Sequence, residues 1–147
     1  MNKSEAIGNL AKAIALSQVE VENATKDTKN EFFKSKYADL AAVLNVIRPV
    51  FSKHNIAIVQ LPSFAAPIAS VETMLIHESG EFISSVCSAP VGKQDAQGIG
   101  SAITYLRRYS LAAMCGVAQE DDDGNGASDK DKPKQPSNKP QPQTKPA

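Results

Sequence analysis

The stretch Asp95–Gly124, reading D-A-Q-G-I-G-S-A-I-T-Y-L-R-R-Y-S-L-A-A-M-C-G-V-A-Q-E-D-D-D-G, limits what this chain can fold into more than any other. At about 100° per residue, Ile99, Ala102, Ile103, Leu106, Ser110, Ala113 and Val117 line one side of a helix, a stripe that must face a core. Gln97, Ser101, Thr104 and Arg108 take the opposite side, with Arg107 and Gly100 along one edge of that row and Tyr105, Tyr109 and Gly98 along the other. A solvated face ordinarily mixes Glu with Lys. This one is polar, cationic and partly glycine-lined, with no acid between Gln97 and Gln119. It suits a polyanion whose backbone comes close. Gly116 is placed for a left-handed cap and Val117 for the apolar contact that closes it, so the helix is expected over Asp95–Cys115. The acidic run Asp121-Asp122-Asp123-Gly124 follows at once.

Upstream, Ser4 is expected to cap a first helix, with Glu5 in its first turn. Ile7, Leu10, Ala11, Ile14 and Val21 give that helix one apolar side to about Val21, for packing within the chain or against another subunit. Glu22–Asn30 reads as loop. The segment Glu31–Ala38, E-F-F-K-S-K-Y-A, sets two charges, Lys34 and Lys36, beside Tyr37. Asp39 then caps a helix to His54, with Leu40, Val43, Leu44, Ile47, Val50, Phe51 and His54 on one stripe and Pro49 set to kink it. His54 reads as a residue of the core edge or helix terminus rather than a ligand. Ile56–Leu61, Val71–His77 and Glu81–Val86 have strand composition, with breaks at Pro62 and Pro67 and a hairpin turn E-S-G-E around Gly80. The order helix, helix, three strands, helix predicts an α+β domain: a three-stranded antiparallel sheet packed on helices, over residues 1–125.

Composition bounds the rest. With 147 residues and 41% hydrophobic content, one ordinary core is expected. The zero net charge hides segregation: Ser128–Ala147 holds five Lys against Asp129 and Asp131, together with five of the nine prolines. Such a stretch cannot bury enough surface to fold, so residues 126–147 are expected to be a disordered Lys/Pro/Gln-rich tail, available to a partner. The remainder is slightly acidic, so a nucleic-acid site there must be a local patch repeated over many subunits. Cys87 and Cys115 form no C-x-x-C pair and there is no histidine cluster, which points away from zinc and from a disulfide framework and towards a reducing cytoplasm. No apolar run approaches the roughly 20 residues that cross a bilayer.

Three chemistries compete for the site. Clustered carboxylates at Asp121–Asp123 can bind magnesium, but D-D-D-G lacks the alternation of a calcium loop, and no second acidic cluster completes a nuclease site. A structural acidic exit from the helix, or a subunit contact, is the plainer reading. No G-x-x-x-x-G-K-[ST] offers an ATP site, and the Gly98–Gly100 pair lies within a helical pattern. Binding explains more. Arg107, Arg108, Tyr105 and Tyr109 join cationic and aromatic groups, against the plain alternative of a salt-bridged surface with tyrosines at the core margin. With Gln97, Ser101 and Thr104, and more weakly Lys34, Lys36 and Tyr37, they are the candidate DNA-binding residues. A short cationic row fits the phosphates of a single strand better than a major groove.

The string G-I-G-S-A-I-T-Y-L-R-R-Y-S-L followed by Asp122, Asp123 and Gly124 resembles the signature of the ERF (essential recombination function) family of phage single-strand annealing proteins. The Lys36-Tyr37 lead into Leu40–His54 resembles the start of the same domain, and the likeness covers roughly Met1 to Asn125. It implies a non-enzymatic, cofactor-free protein of the bacterial host's cytoplasm that assembles into a homo-oligomer, a ring in this family. Such a protein binds single-stranded DNA and anneals complementary strands in recombination, with a domain like that of the eukaryotic annealing mediators. Annealing needs no fuel, because duplex formation is downhill by roughly 1.4 kcal/mol per base step. It does need exposed base edges, and an aromatic content of 5% without Trp is compatible with that. A single-strand protector that does not anneal, and a metal-dependent nuclease using the Asp run, remain as rivals.

Overall fold

A computed structural model describes residues 1–24 and 38–119. Its elements run β1 (Asn2–Lys3), α1 (Gly8–Glu20), α2 (Leu40–Lys53), β2 (Ile56–Ala65), β3 (Ile68–His77), β4 (Phe82–Pro90) and α3 (Ala96–Cys115). The strands form one antiparallel sheet in the order β1-β4-β3-β2. The α+β class and the meander are as the sequence suggests, but the sheet has four strands rather than three.

The fourth strand and a misplaced cap share one cause. Ser4 does not cap a helix. Its backbone N–H donates to the Phe82 carbonyl at 3.0 Å and its Oγ accepts from the Phe82 N–H at 2.9 Å, which docks the N-terminal residues on β4. The first helix therefore begins later, with Ile7 at the cap position and no side-chain cap of its own. Glu81, from the turn between β3 and β4, serves instead: Oε2 accepts from the Leu10 N–H at 2.8 Å and Oε1 from Asn9 Nδ2 at 2.9 Å. These bonds, the Leu10 amide first, hold the Glu81 carboxyl below its usual pKa. The face of α1 turned inward is Leu10, Ala13 and Ser17, whereas Ala11 is exposed and the outer side leaves Leu16 and Val19 in solvent.

Both long helices start as their sequences dictate. Asp39 Oδ1 accepts from the Ala42 N–H and Asp95 Oδ1 from the Gly98 N–H, each at 2.8 Å, satisfying amides that the first turn leaves unpaired. The helix α2 continues through Pro49 to Lys53 and buries Val43, Ile47 and Phe51. His54, half-buried at its end, meets Glu20 Oε1 at 2.8 Å. At the end of α3, Gly116 is left-handed (φ 70°), its N–H reaching the Ala113 carbonyl, while the Val117 N–H reaches Ala112 at 2.9 Å. Val117 is buried, so the expected cap is present in full.

The strands outrun their expected ends. Pro62 does not stop β2; it pairs with Val71 in the middle of an edge strand, where a missing N–H leaves no ladder bond unmade. The hairpin turns instead at Ala66-Pro67, between Ala65 and Ile68. The inner face of β3 is Ala69, Val71, Thr73 and Leu75, all fully buried. Val71 joins Ala69, Val91 and Leu106 in a small cluster, with Ile99, Ala102 and Ile103 of α3 packed on it. Leu75 joins the larger one with Leu10, Val43, Ile47, Phe51, Leu111, Ala112 and Cys115. The stripe of α3 therefore swings. In its second half Ala113, expected inside, is exposed, and Leu111, Ala112 and Cys115 are buried, because α1 and α2 cover that flank.

Candidate nucleic-acid interface

Between the two clusters lies a polar seam. Thr73 follows Val71 on the inner face of β3, and Ser110 lies between Leu106 and Leu111 on α3. Their hydroxyls meet at 2.8 Å, and Gln60 Nε2 donates to Thr73 Oγ1 at 3.0 Å and to the Arg107 carbonyl at 2.9 Å. Gln60 Oε1 then accepts from Arg107 Nε at 3.2 Å. Burying these groups is costly unless they satisfy one another, which they do. The seam ends at a guanidinium held against β2.

Arg108 turns the other way. Its Nη1 donates to the Ala38 carbonyl at 3.1 Å, and its guanidinium carbon lies 5.2 Å from the Tyr109 ring centre and 5.9 Å from that of Tyr105. The two rings stack with centroids 4.3 Å apart, tilted by 34°. Tyr105 lies three residues before Arg108 and four before Tyr109, the spacings that put it beside both on the helix surface. Arg108 lines an open groove of about 540 Å³, together with Gln97, Gly100, Ser101, Thr104 and Tyr105 of α3 and Asp39 and Leu40 at the start of α2.

The row expected on α3 is thus gathered in one concavity, Gln97, Ser101, Thr104, Tyr105 and Arg108 together, but Arg107 is not part of it. Sequential arginines point about 100° apart, and Gln60 takes Arg107 to a second crevice of about 240 Å³ with Leu44, Arg48, Ser52, Ile56, Ala57 and Ile58. Lys34, Lys36, Tyr37 and Asp121–Asp123 lie outside the described residues, as does the tail.

Asp39, expected only as the cap of α2, also lines the groove, and Gln60 and Arg48, which the sequence does not single out, line the crevice. Asp39 brings a carboxylate to the groove, which opposes an anionic ligand. Its Oδ1 is engaged by the first turn of α2, whose positive end offsets the charge locally. Arg48 had a local signal, since Leu40, Leu44, Arg48 and Ser52 recur every four residues along α2. Gln60 had none, because its partners are far away in sequence.

The two glycines at the start of α3 also separate. A Cβ at Gly98 would stand 1.8 Å from the Lys93 carbonyl oxygen, so the chain passes too close for any side chain. A Cβ at Gly100 would meet nothing within 4 Å among the described residues, and Gly100 lines the groove. Gly98 is explained by packing. Gly100 is not.

Among the described residues no group of three His, Cys, Asp or Glu side chains is placed to hold a metal, and no helix is long and apolar enough to cross a membrane. Cys87 and Cys115 are both free thiols, and burial pushes the Cys115 pKa up to about 12. No curated protein and no solved structure matches this chain. The sequence model of the ERF superfamily does, over residues 10–147, from within α1 through the whole of α3 to the last residue. On that match over most of its length, the chain belongs to the ERF superfamily.

Proposed function

We propose that this protein binds single-stranded DNA through the α2–α3 groove and anneals complementary strands in recombination, without nucleotide hydrolysis and without cleaving a bond. Membership of the ERF superfamily is the observation that carries the reading. The groove supplies it with a physical basis. Arg108 provides a charge held in place by Ala38 and two rings, and Ser101, Thr104 and Gln97 provide neutral hydrogen-bond partners. Gly100 leaves room for a sugar–phosphate backbone to approach the helix. A strand held this way is gripped by its phosphates, and its bases stay free to pair. Tyr105, half exposed, can stack one base without enclosing it. One groove holds few nucleotides, so useful affinity requires many grooves side by side, which supports an oligomer, a ring by analogy with the family.

The decisive assay follows two complementary oligonucleotides, one bearing a fluorophore and the other a quencher, in EDTA and without ATP. Acceleration of pairing by the protein supports annealing. Slowed pairing would make it a protector, and strand loss that requires magnesium would make it a nuclease acting through Asp121–Asp123.

A further inference from the structure

The crevice that receives Arg107 has a composition that the groove reading does not use. Its lining sets apolar side chains, Leu44, Ile56, Ala57 and Ile58, beside two guanidinium groups, Arg48 and Arg107, and Ser52 near the end of α2. Neither arginine has a carboxylate partner among the described residues: the ion pairs there are Lys53–Glu20, His54–Glu20 and Lys93–Asp95. Arg48 Nη2 makes one long contact of 3.4 Å with Asn45 Oδ1, and Arg107 Nε is fixed by Gln60. Two guanidinium groups with no carboxylate partner among the described residues, set beside apolar side chains, attract an anion. Buried Thr73 and half-buried Ser110 fix the Gln60 that holds Arg107.

The crevice and the groove share one helix face. Leu40 lines the groove, and Leu44, Arg48 and Ser52, at successive steps of four, line the crevice. At 1.5 Å per residue, Leu40 and Arg48 are about 12 Å apart along α2. A stacked strand advances 3.4 Å per nucleotide, so about three to four nucleotides bridge the two places.

We propose that Arg48 and Arg107 together form a second phosphate-binding station for the strand held at Arg108, so that one strand runs along α2 and is gripped at two places on each subunit. Gln60 is the positioning residue of this station, acting through Arg107. The inference rests on the single-strand reading given above. It adds a residue, Arg48, and a path. Two grips a few nucleotides apart hold a strand extended and in register, as a template for pairing requires, where a single grip would leave it free to coil.

The test measures binding of a fluorescent oligothymidylate to the full chain over a range of salt concentrations, with subunit number followed by light scattering. Arg48 is exposed, so Arg48→Ala leaves the fold intact. It is expected to weaken binding about tenfold and to lower the slope of log K against log salt by about 0.7, one phosphate contact. Arg48→Lys should keep the slope. Because both arginines hold one phosphate, Arg48→Ala/Arg107→Ala together should lower the slope no further than Arg48→Ala alone. If Arg48→Ala binds like the parent while Arg108→Ala is weakened, the strand does not reach the crevice and the proposal falls, with the groove reading standing. A changed subunit number in Arg48→Ala would make the crevice a contact between copies and overturn it equally. A parent protein that does not bind the oligonucleotide at all would instead remove the single-strand reading beneath both.

Discussion

Gly98 and Gly100 stand two residues apart on α3, and the same substitution should move them in opposite directions. In a helix interior Gly→Ala gains about 1 kcal/mol of backbone propensity. At Gly100 nothing among the described residues meets the new methyl group, so the gain should be realised: about 0.5–1 kcal/mol, or roughly 4–8 °C per kcal/mol in a domain of about 100 residues. At Gly98 the methyl group would overlap the Lys93 carbonyl, 1.8 Å away. Lys93 must retreat, and it is joined through Asp95 to the cap of α3 by the 2.8 Å bond to the Gly98 N–H itself. Overpacking costs about 1–3 kcal/mol and a lost cap about 1. After the propensity gain, Gly98→Ala should be destabilised by about 1–3 kcal/mol. Urea unfolding followed by circular dichroism measures both. The functional half of the prediction is that Gly100→Ala, though more stable, binds single-stranded DNA more weakly, because its methyl group stands in the groove. Should Gly98→Ala match the parent, or Gly100→Ala be destabilised too, the account of α3 is wrong at its start. If Gly100→Ala is stabilised and binds unchanged, the strand does not lie against Gly100.

Other consequences are more local. The Glu81 carboxyl, lowered by the Leu10 amide, contributes stability that is complete above its unfolded pKa of about 4.3 and is lost as pH falls from there through its folded value. Glu81→Gln should therefore be less stable than the parent at pH 7, with the gap closing below about pH 4 in acid-unfolding curves. Burial that raises the Cys115 thiol to about 12 should leave Cys87 as the thiol that iodoacetamide modifies in the folded protein, both reacting only after unfolding, as counted by mass spectrometry. Replacing Asp121, Asp122 and Asp123 together with Asn should leave annealing in EDTA unchanged, and magnesium should elicit cleavage from neither protein on a labelled strand.

What was legible in the chain was what neighbours in sequence determine. Asp95 and Asp39 as caps, Gly116 and Val117 as a helix end, and the row Gln97–Ser101–Thr104–Arg108 all follow from residues within a turn or two of one another. The errors came where a distant segment decides. Ala113 and Leu111 exchange roles because α1 and α2 cover one flank of α3, which no periodicity within α3 can reveal. Ser4 has the chemistry of a cap and became a strand clasp because Phe82 was within reach. A two-residue strand such as Asn2–Lys3 has no pattern to read. Pro62 reads as a break because nothing near it in sequence places it on the edge of the sheet. The 100° between Arg107 and Arg108 was readable, but Gln60 and Ala38, which turn that angle into two separate places, were not.

The central claim is that the α2–α3 groove holds a single strand in a form ready to pair, and Arg108 is where it can be struck most cleanly. The measurement is the annealing rate of complementary oligonucleotides in EDTA without ATP, for the parent and Arg108→Ala, with helix content and subunit number matched by circular dichroism and light scattering. The account predicts a parent that accelerates pairing well above the spontaneous rate, and a folded, fully assembled Arg108→Ala that loses most of that acceleration and regains part of it at low salt. Acceleration by Arg108→Ala equal to the parent at moderate salt would contradict it.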